Sequence, residues 1–320
     1  MAEDSGDSDM SNVTMQQVKE LRDRTQAGLN DCKSALVEAA GDMEKAVEVI
    51  LKKGLAKSAK RAGSVATEGE VAVQVAADGK SGVIAEVNIQ TDFAARNEDF
   101  KKFVANVIAL STRAATGADL GAEAYPGGGT LEDARKALVG KLGENITVRR
   151  WGRLQIDGPG SVLSYVHMGG KIGVLLAVRT NTPELAKKPE VIKFVEDAAM
   201  QIAAMAPLHL AGSEVPEAAK TKQAEIFEAQ MREMEKAPPE KQWPKIIEGK
   251  VQKWVTEITL LEQPSVIEAD KTVDQLRQAV SKAAGGTVDL VGFIRYQLGE
   301  GVEAPKGPDF ADEVAKMAAT

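Results

Sequence analysis

Thiols are almost missing from this chain of 320 residues: Cys32 is the single cysteine. An internal disulfide is therefore excluded, which suits a reducing compartment. Histidine is nearly as scarce, with only His167 and His209. Zinc usually draws three or four ligands from Cys, His and carboxylates, so these residues offer no zinc site. The net charge is -7. A chain without a positive surplus makes no case for nucleic acid as its main partner. No apolar run is long enough to cross a bilayer. Neither a G-x-x-x-x-G-K-[ST] phosphate loop nor a G-x-G-x-x-G after a strand is present. The run Gly127 to Gly129 follows Pro126 and no strand, and reads as a flexible loop. The opening "MAEDSGDSDMS" is acidic and lacks the apolar core or arginines of a targeting peptide. Residues 1–11 are therefore expected to be a short disordered tail, and the bacterial cytoplasm is the simplest location.

The whole chain is 43% hydrophobic and 27% charged, enough for a sizeable core and two or three domains. Residues 12–56 read as a three-helix unit. Thr14 and Gln17 have capping-box spacing, with Val18 and Leu21 facing inward behind them. Asp31 is expected to cap a second helix that turns Cys32, Ala35 and Leu36 inward. Asp42 is expected to cap a third, carrying Met43, Ala46, Val47, Ile50 and Leu51, with Gly54 as its C-terminal cap. Such a unit is either a solubilising appendage or a docking module. The basic, small-residue stretch at 57–69 suits a linker or a frayed helix. From Glu70 the period becomes two, and a turn at Asp78-Gly79 makes a β-hairpin. A helix with Phe100, Phe103, Val104, Val107 and Leu110 inward follows, then one capped by Thr130 and running through Leu138, then the strand "NITVRRWGRLQI".

This arrangement occurs twice. "VIAEVNIQTDFAARNEDFKKFV" from Val83 aligns without gaps on "VLLAVRTNTPELAKKPEVIKFV" from Val174, an offset of 91 residues. Leu131, Ala134 and Leu138 align on Val273, Leu276 and Val280, an offset of 142. The second copy thus holds 51 extra residues. They carry two stripes, Ala224, Phe227, Met231 and Met234, then Ile247, Val251, Trp254 and Ile258, broken at Pro238-Pro239. Two narrow stripes joined by a turn make an antiparallel helical hairpin, which should project. A helix capped by Thr272 and Gln275, the strand "VGFIRYQLGEG" and a tail helix from Pro308 complete the chain. The expected fold class is α+β: a three-helix bundle, then core units at 70–156 and 157–300, the second interrupted by the hairpin at about 216–260. A helical module at 301–320 ends it.

Little chemistry is available to this framework. Cys32 reads as a small buried hydrophobe. His167 lies at or near a hairpin turn and His209 after "AAMAPL"; lone histidines are usually structural or merely exposed. The pair Asp92-Phe93 stands where a strand hands over to a helix. It is either a helix cap with a core contact or a ring offered to something outside. In the second copy the same positions are Pro183 and Glu184. A demand of the architecture should leave an apolar residue at the second place, so the pair reads as a local addition.

"VKELRDRTQAGLNDCKSAL" and "EVNIQTDFAARN" closely resemble the two signatures of the elongation factor Ts family. "KLGENITVRR", "HMGGKIGVL" and "GFIRYQLGEG" are similar to further stretches of that family, in order, from about Asn12 to the C-terminus. The resemblance implies guanine-nucleotide exchange on elongation factor Tu, without covalent chemistry, cofactor, membrane or direct nucleic-acid contact. It implies that the three-helix module, similar to a ubiquitin-associated domain, docks on the partner's nucleotide-binding domain through Arg22, Leu29 and Asn30. It implies that Asp92 and Phe93 enter near the partner's magnesium site and that His167 and the second core unit reach another partner domain. It implies that the C-terminal helix also touches the partner. Two positions depart from the family pattern: Ala94 stands where Val is common after the Phe, and Asn30 stands where apolar residues are frequent. A scaffold or chaperone-like adaptor built on the hairpin is the alternative class, and a dimer of factor–partner heterodimers is left open. A hydrolase or transferase has no residues to carry it.

Overall fold

The computed structural model describes residues 13–25, 27–61 and 63–302. The acidic stretch at 1–11 and the expected tail helix from Pro308 lie outside the described residues. The chain divides into two compact units. One holds the described residues up to Glu70, Glu86–Arg150 and Leu298–Val302; the other holds Val71–Ala85 and Trp151–Gln297.

The first unit opens with α1 (Met15–Thr25), α2 (Leu29–Glu38) and α3 (Met43–Arg61). The capping box forms: Thr14 N donates to Gln17 Oε1 at 2.9 Å and Gln17 N donates to Thr14 Oγ1 at 3.2 Å. Val18, Leu21, Cys32, Ala35, Leu36 and Ala46 make the bundle's core. Asp42 caps α3, its Oδ1 accepting from Lys45 N at 3.1 Å. The start of α2 differs from expectation. Gly28 in extended backbone is the N-cap, and Asp31 sits inside the first turn, where its charge meets the positive helix end. Leu51, expected inward, is 53% exposed.

Beyond the bundle come the strands β1 (Glu68–Val75) and β2 (Ser81–Ile89), joined at Asp78-Gly79 with Gly79 at φ +67°. The single-turn α4 (Asp92–Ala95), α5 (Glu98–Ser111) and α6 (Leu131–Leu142) follow. The expected apolar face of α5 is buried. Thr130 and Asp133 form a full capping box, and α6 ends four residues beyond Leu138, at left-handed Gly143. Gly54 does not end α3. The helix runs through it to Arg61, and Gly54 faces Gly140 of α6, where a Cβ at Gly140 would lie 2.7 Å from Gly54 Cα. A glycine read as a stop is in fact a crossing point. The strand β3 (Ile146–Gln155) then completes a sheet in the order β1-β2-β3.

In the second unit, β4 (Gly160–His167), β5 (Ile172–Thr180) and β6 (Val288–Gln297) form an antiparallel sheet. Helix α7 (Pro189–Met205) packs on β4 and β5. Val174, Leu176, Val178, Phe194, Ile202 and Leu290 fill the core between. The opposite face is tight. A Cβ at Gly173 would meet Val71, Ile84 and Val73 at 2.6, 3.1 and 3.2 Å, so glycine lets this face approach its neighbours closely. The inserted hairpin is α8 (Glu217–Arg232) and α9 (Trp243–Ile258), which pack on each other. Met231 is buried, but Met234 lies past the end of α8 and is 52% exposed, because the arm stops before it. Helix α10 (Val273–Ala284), capped by Thr272 and Gln275 as expected, leads into β6.

The repeat extends to element ends. The offset of 91 carries β2 onto β5 and the start of α5 onto the start of α7; the offset of 142 carries α6 onto α10 and β3 onto β6. Single contacts repeat too. Arg135 Nη1 donates to Ile146 O and Arg277 Nη1 to Val288 O, at the matching positions. Gln90 Oε1 accepts from Asn145 N, and Asn181 Oδ1 from Thr287 N.

Candidate functional site

The pair Asp92-Phe93 occupies the first two positions of α4, a single helical turn between β2 and α5. Thr91, in extended backbone, is its N-cap; Asp92, weighed as a cap from the sequence, stands one residue too late and lies inside the turn. Asn97 then caps α5, its Oδ1 accepting from Asp99 N at 2.8 Å. Two caps six residues apart leave no slack between them.

Phe93 makes no core contact of the kind a structural reading requires. It is 81% exposed, the most exposed of the large hydrophobics among the described residues. Leaving such a ring in water forgoes roughly 2–3 kcal/mol of burial. The aligned position in the second copy is Glu184; the apolar anchor there is Leu185, one residue later and buried. The second junction thus turns its apolar residue inward, whereas the first turns its own outward.

Beneath the ring the backbone is held at several points. Thr91 N donates to Glu144 Oε2 at 3.0 Å and Thr91 Oγ1 donates to Glu144 Oε1 at 2.7 Å. Thr91 Oγ1 accepts from Ala94 N at 3.3 Å. The neighbouring Gln90 takes the Asn145 N–H at 2.8 Å, and Asn145 Nδ2 donates to Ser64 O at 2.7 Å. Lys141 pairs with Asp99 at 2.5 Å. The Asp92–Arg96 pair, at 2.9 Å, is solvent-exposed and one helical turn apart, worth only about 0.3–0.5 kcal/mol. It orients the Asp92 carboxylate without fixing the turn.

The strand feeding the turn is anchored by a buried charge. Glu86 has no exposed surface. Its carboxylate accepts from Arg149, Arg150 Nε at 2.6 Å, Asn88 Nδ2 at 3.1 Å and Gly299 N at 2.8 Å. Burial pushes this carboxyl up, but the Gly299 N–H and the two guanidinium groups outweigh it and hold the group below the usual carboxylate range. The matching positions of the second copy are Ala177, Val291 and Gly292, so this cluster too belongs to the first copy alone.

The residues expected to dock lie on the last turns of α1 and the first turn of α2 in the three-helix bundle. Arg22 is exposed on the last turns of α1, and Leu29, 46% exposed, opens α2 beside exposed Asn30. In the second unit, His167 ends β4 at the turn into β5. Its Nδ1 lies 2.9 Å from Tyr165 Oη and the two rings stack at 5.9 Å. Val166 and Met168 flank it, 44% and 72% exposed, with Met168 at φ +50°. Sequence reasoning missed both of these apolar flanks, and it missed Glu144. The sequence of β4, GSVLSYVH, has no alternation that signals the flanks, whereas the Gly286 aligned with Glu144 marks that position as different between the copies. His209 contributes only backbone, bridging to Thr259. Among the described residues, no group of three or more His, Cys, Asp or Glu could hold a metal ion.

The sequence model described as Elongation factor TS matches residues 90–300. Elongation factor Ts from a Nitratiruptor species is 46% identical over 95% of this chain and 98% of its own length. The protein of that name from Clostridium botulinum (strain Alaska E43 / Type E3) is 42% identical over 95% and 99%. That from Clostridium perfringens (strain SM101 / Type A) is 43% identical over the same shares, 95% and 99%. The class is that of the translation elongation factors. Within it, this chain belongs to the elongation factor Ts family.

Proposed function

We propose that the protein is a guanine-nucleotide exchange factor that binds GDP-loaded elongation factor Tu in the cytoplasm and promotes GDP release. The observation that carries this reading is the bare Phe93 ring on a backbone-pinned turn. GDP in a GTPase is held by Mg²⁺ and by donors around its phosphates. A wedge need not touch the nucleotide; it need only prefer the partner conformation in which those contacts are broken. Phe93 supplies apolar area with little rotamer entropy, and Asp92 accepts or orients beside it. Arg22, Leu29 and Asn30 dock the bundle, and His167 with its apolar flanks engages another partner domain, so binding there offsets the disruption. By linkage, a factor that weakens nucleotide binding is itself displaced by nucleotide, which makes the exchange catalytic although no covalent bond changes.

Stopped-flow release of labelled GDP from elongation factor Tu tests this. The wild type is expected to accelerate release, and Phe93→Ala to lose roughly ten- to a hundredfold of that acceleration, the burial of one ring. No acceleration by the wild type would overturn the reading in favour of a scaffold using the α8–α9 hairpin. Sedimentation with the partner tests the stoichiometry, including a dimer of heterodimers.

A further inference from the structure

We propose that Glu144 is a positioning residue for Phe93, its carboxylate setting the orientation of the turn that presents the ring. The inference rests on the exchange reading for its consequence, and on geometry for its substance. A threonine hydroxyl has one proton to give. Thr91 Oγ1 gives it to Glu144 Oε1 at 2.7 Å, which leaves the lone pairs free to accept from Ala94 N at 3.3 Å. The other carboxylate oxygen takes the Thr91 backbone N–H at 3.0 Å. Glu144 therefore fixes both the backbone and the rotamer of the residue that caps α4. A carboxylate acceptor makes these bonds stronger than neutral ones.

The internal repeat separates this device from the common framework. The neighbouring contact, Gln90 with Asn145 N, is kept in the second copy as Asn181 with Thr287 N. The Glu144 position is not kept: it is Gly286. There a Cβ would lie 2.4 Å from Asn181 Oδ1, so a side chain would displace the amide that accepts from Thr287 N. The second junction forms a 3-10 turn at Leu185–Lys187 with no side-chain cap, and no exposed aromatic stands on it. The carboxylate and the outward ring occur together in one copy and are both missing from the other. A residue needed only to close a strand–helix junction would be needed twice.

Amide hydrogen exchange and stopped-flow kinetics on the full chain test the two halves of the inference. In Glu144→Ala, exchange at the Ala94 and Ala95 amides is expected to speed up about tenfold or more, while the β2 amides stay protected. Unchanged protection at Ala94 would overturn the positioning role whatever the protein's function. In labelled-GDP release at saturating factor, Glu144→Ala is expected to lower the maximal rate about tenfold, with little change in half-saturating concentration. Added to Phe93→Ala, the same change should lower the rate no further. Equal losses in both backgrounds would overturn action through Phe93. Should Glu144→Ala fail to fold, Glu144→Gln keeps one acceptor and should show a partial loss in the same assays, and wild-type values for it would overturn the proposal. A wild type that accelerates nothing would sink the exchange reading and leave the amide result to decide the rest.

Discussion

Two glycines meet where α3 crosses α6, and they are not equivalent. A Cβ at Gly140 would sit 2.7 Å from Gly54 Cα and 3.5 Å from Gly54 C and O, all backbone atoms that cannot rotate away. A Cβ at Gly54 would find only Gly140 Cα, at 4.0 Å, an ordinary contact. Both positions are inside helices, so alanine at either gains about 0.8–1 kcal/mol of helix preference. At Gly54 that gain should survive, and Gly54→Ala is expected to be stabilised by roughly 0.5–1 kcal/mol. At Gly140 the helices must separate, and overpacking typically costs about 1–3 kcal/mol, which cancels or exceeds the gain. Urea unfolding followed by far-ultraviolet circular dichroism should therefore rank Gly54→Ala above wild type and Gly140→Ala below Gly54→Ala by about 1–3 kcal/mol. Equal stability of the two variants would refute the close crossing. So would the reverse order.

Three further outcomes follow from side-chain environments. Phe93→Ala should leave the stability within about 0.5 kcal/mol of wild type, because an 81% exposed ring contributes little to the fold; a large drop in calorimetry would return Phe93 to the core. Glu86 has its carboxyl held below the usual range, so its contribution is full above the unfolded value of about 4.3 and fades as the pH falls through the lower folded value. Melting measured from neutral pH to about pH 3 should fall more steeply for wild type than for Glu86→Gln, which should lose roughly 1–3 kcal/mol at neutral pH; parallel curves would refute the role. Cys32 is buried, and its thiol is pushed up first by that burial, so a disulfide reagent should label it only as the bundle opens. Labelling at the rate of a free thiol would contradict the packing.

Much of the framework was legible because it is set by local chemistry. The boxes at Thr14, Thr130 and Thr272 each need a partner three residues away, and all three form. The turn at Asp78-Gly79 needs one residue at positive φ. The repeat survived translation into structure because an offset preserved between apolar positions preserves which faces are buried. The failures share a cause. Gly54 as a helix end and Gly54 as a crossing point look alike along one dimension; only Gly140, 86 residues on, tells them apart. Asp31 and Asp92 have the chemistry of caps, but Gly28 and Thr91 hold the extended backbone that defines one. Glu86 interrupts an apolar strand without announcing that Arg149, Arg150 and Gly299 will meet it.

The two copies act as a control for each other. Both must join a central strand to a helix, and both do so with the same spacing, the same arginine-to-carbonyl link and the same amide acceptor before the junction. Those shared features are what the architecture requires. The first copy adds Glu86 with its arginines under the strand, Glu144 against Thr91, and Phe93 in water. Each addition has a cost: a desolvated carboxylate, a carboxylate fixed to a threonine, and an apolar ring left unburied. Three costs on one short path from β2 to α4 are hard to ascribe to drift, because each could be relieved by the residues the second copy already uses. They are accounted for together if the strand and its cap serve to hold Phe93 at a fixed place outside the core.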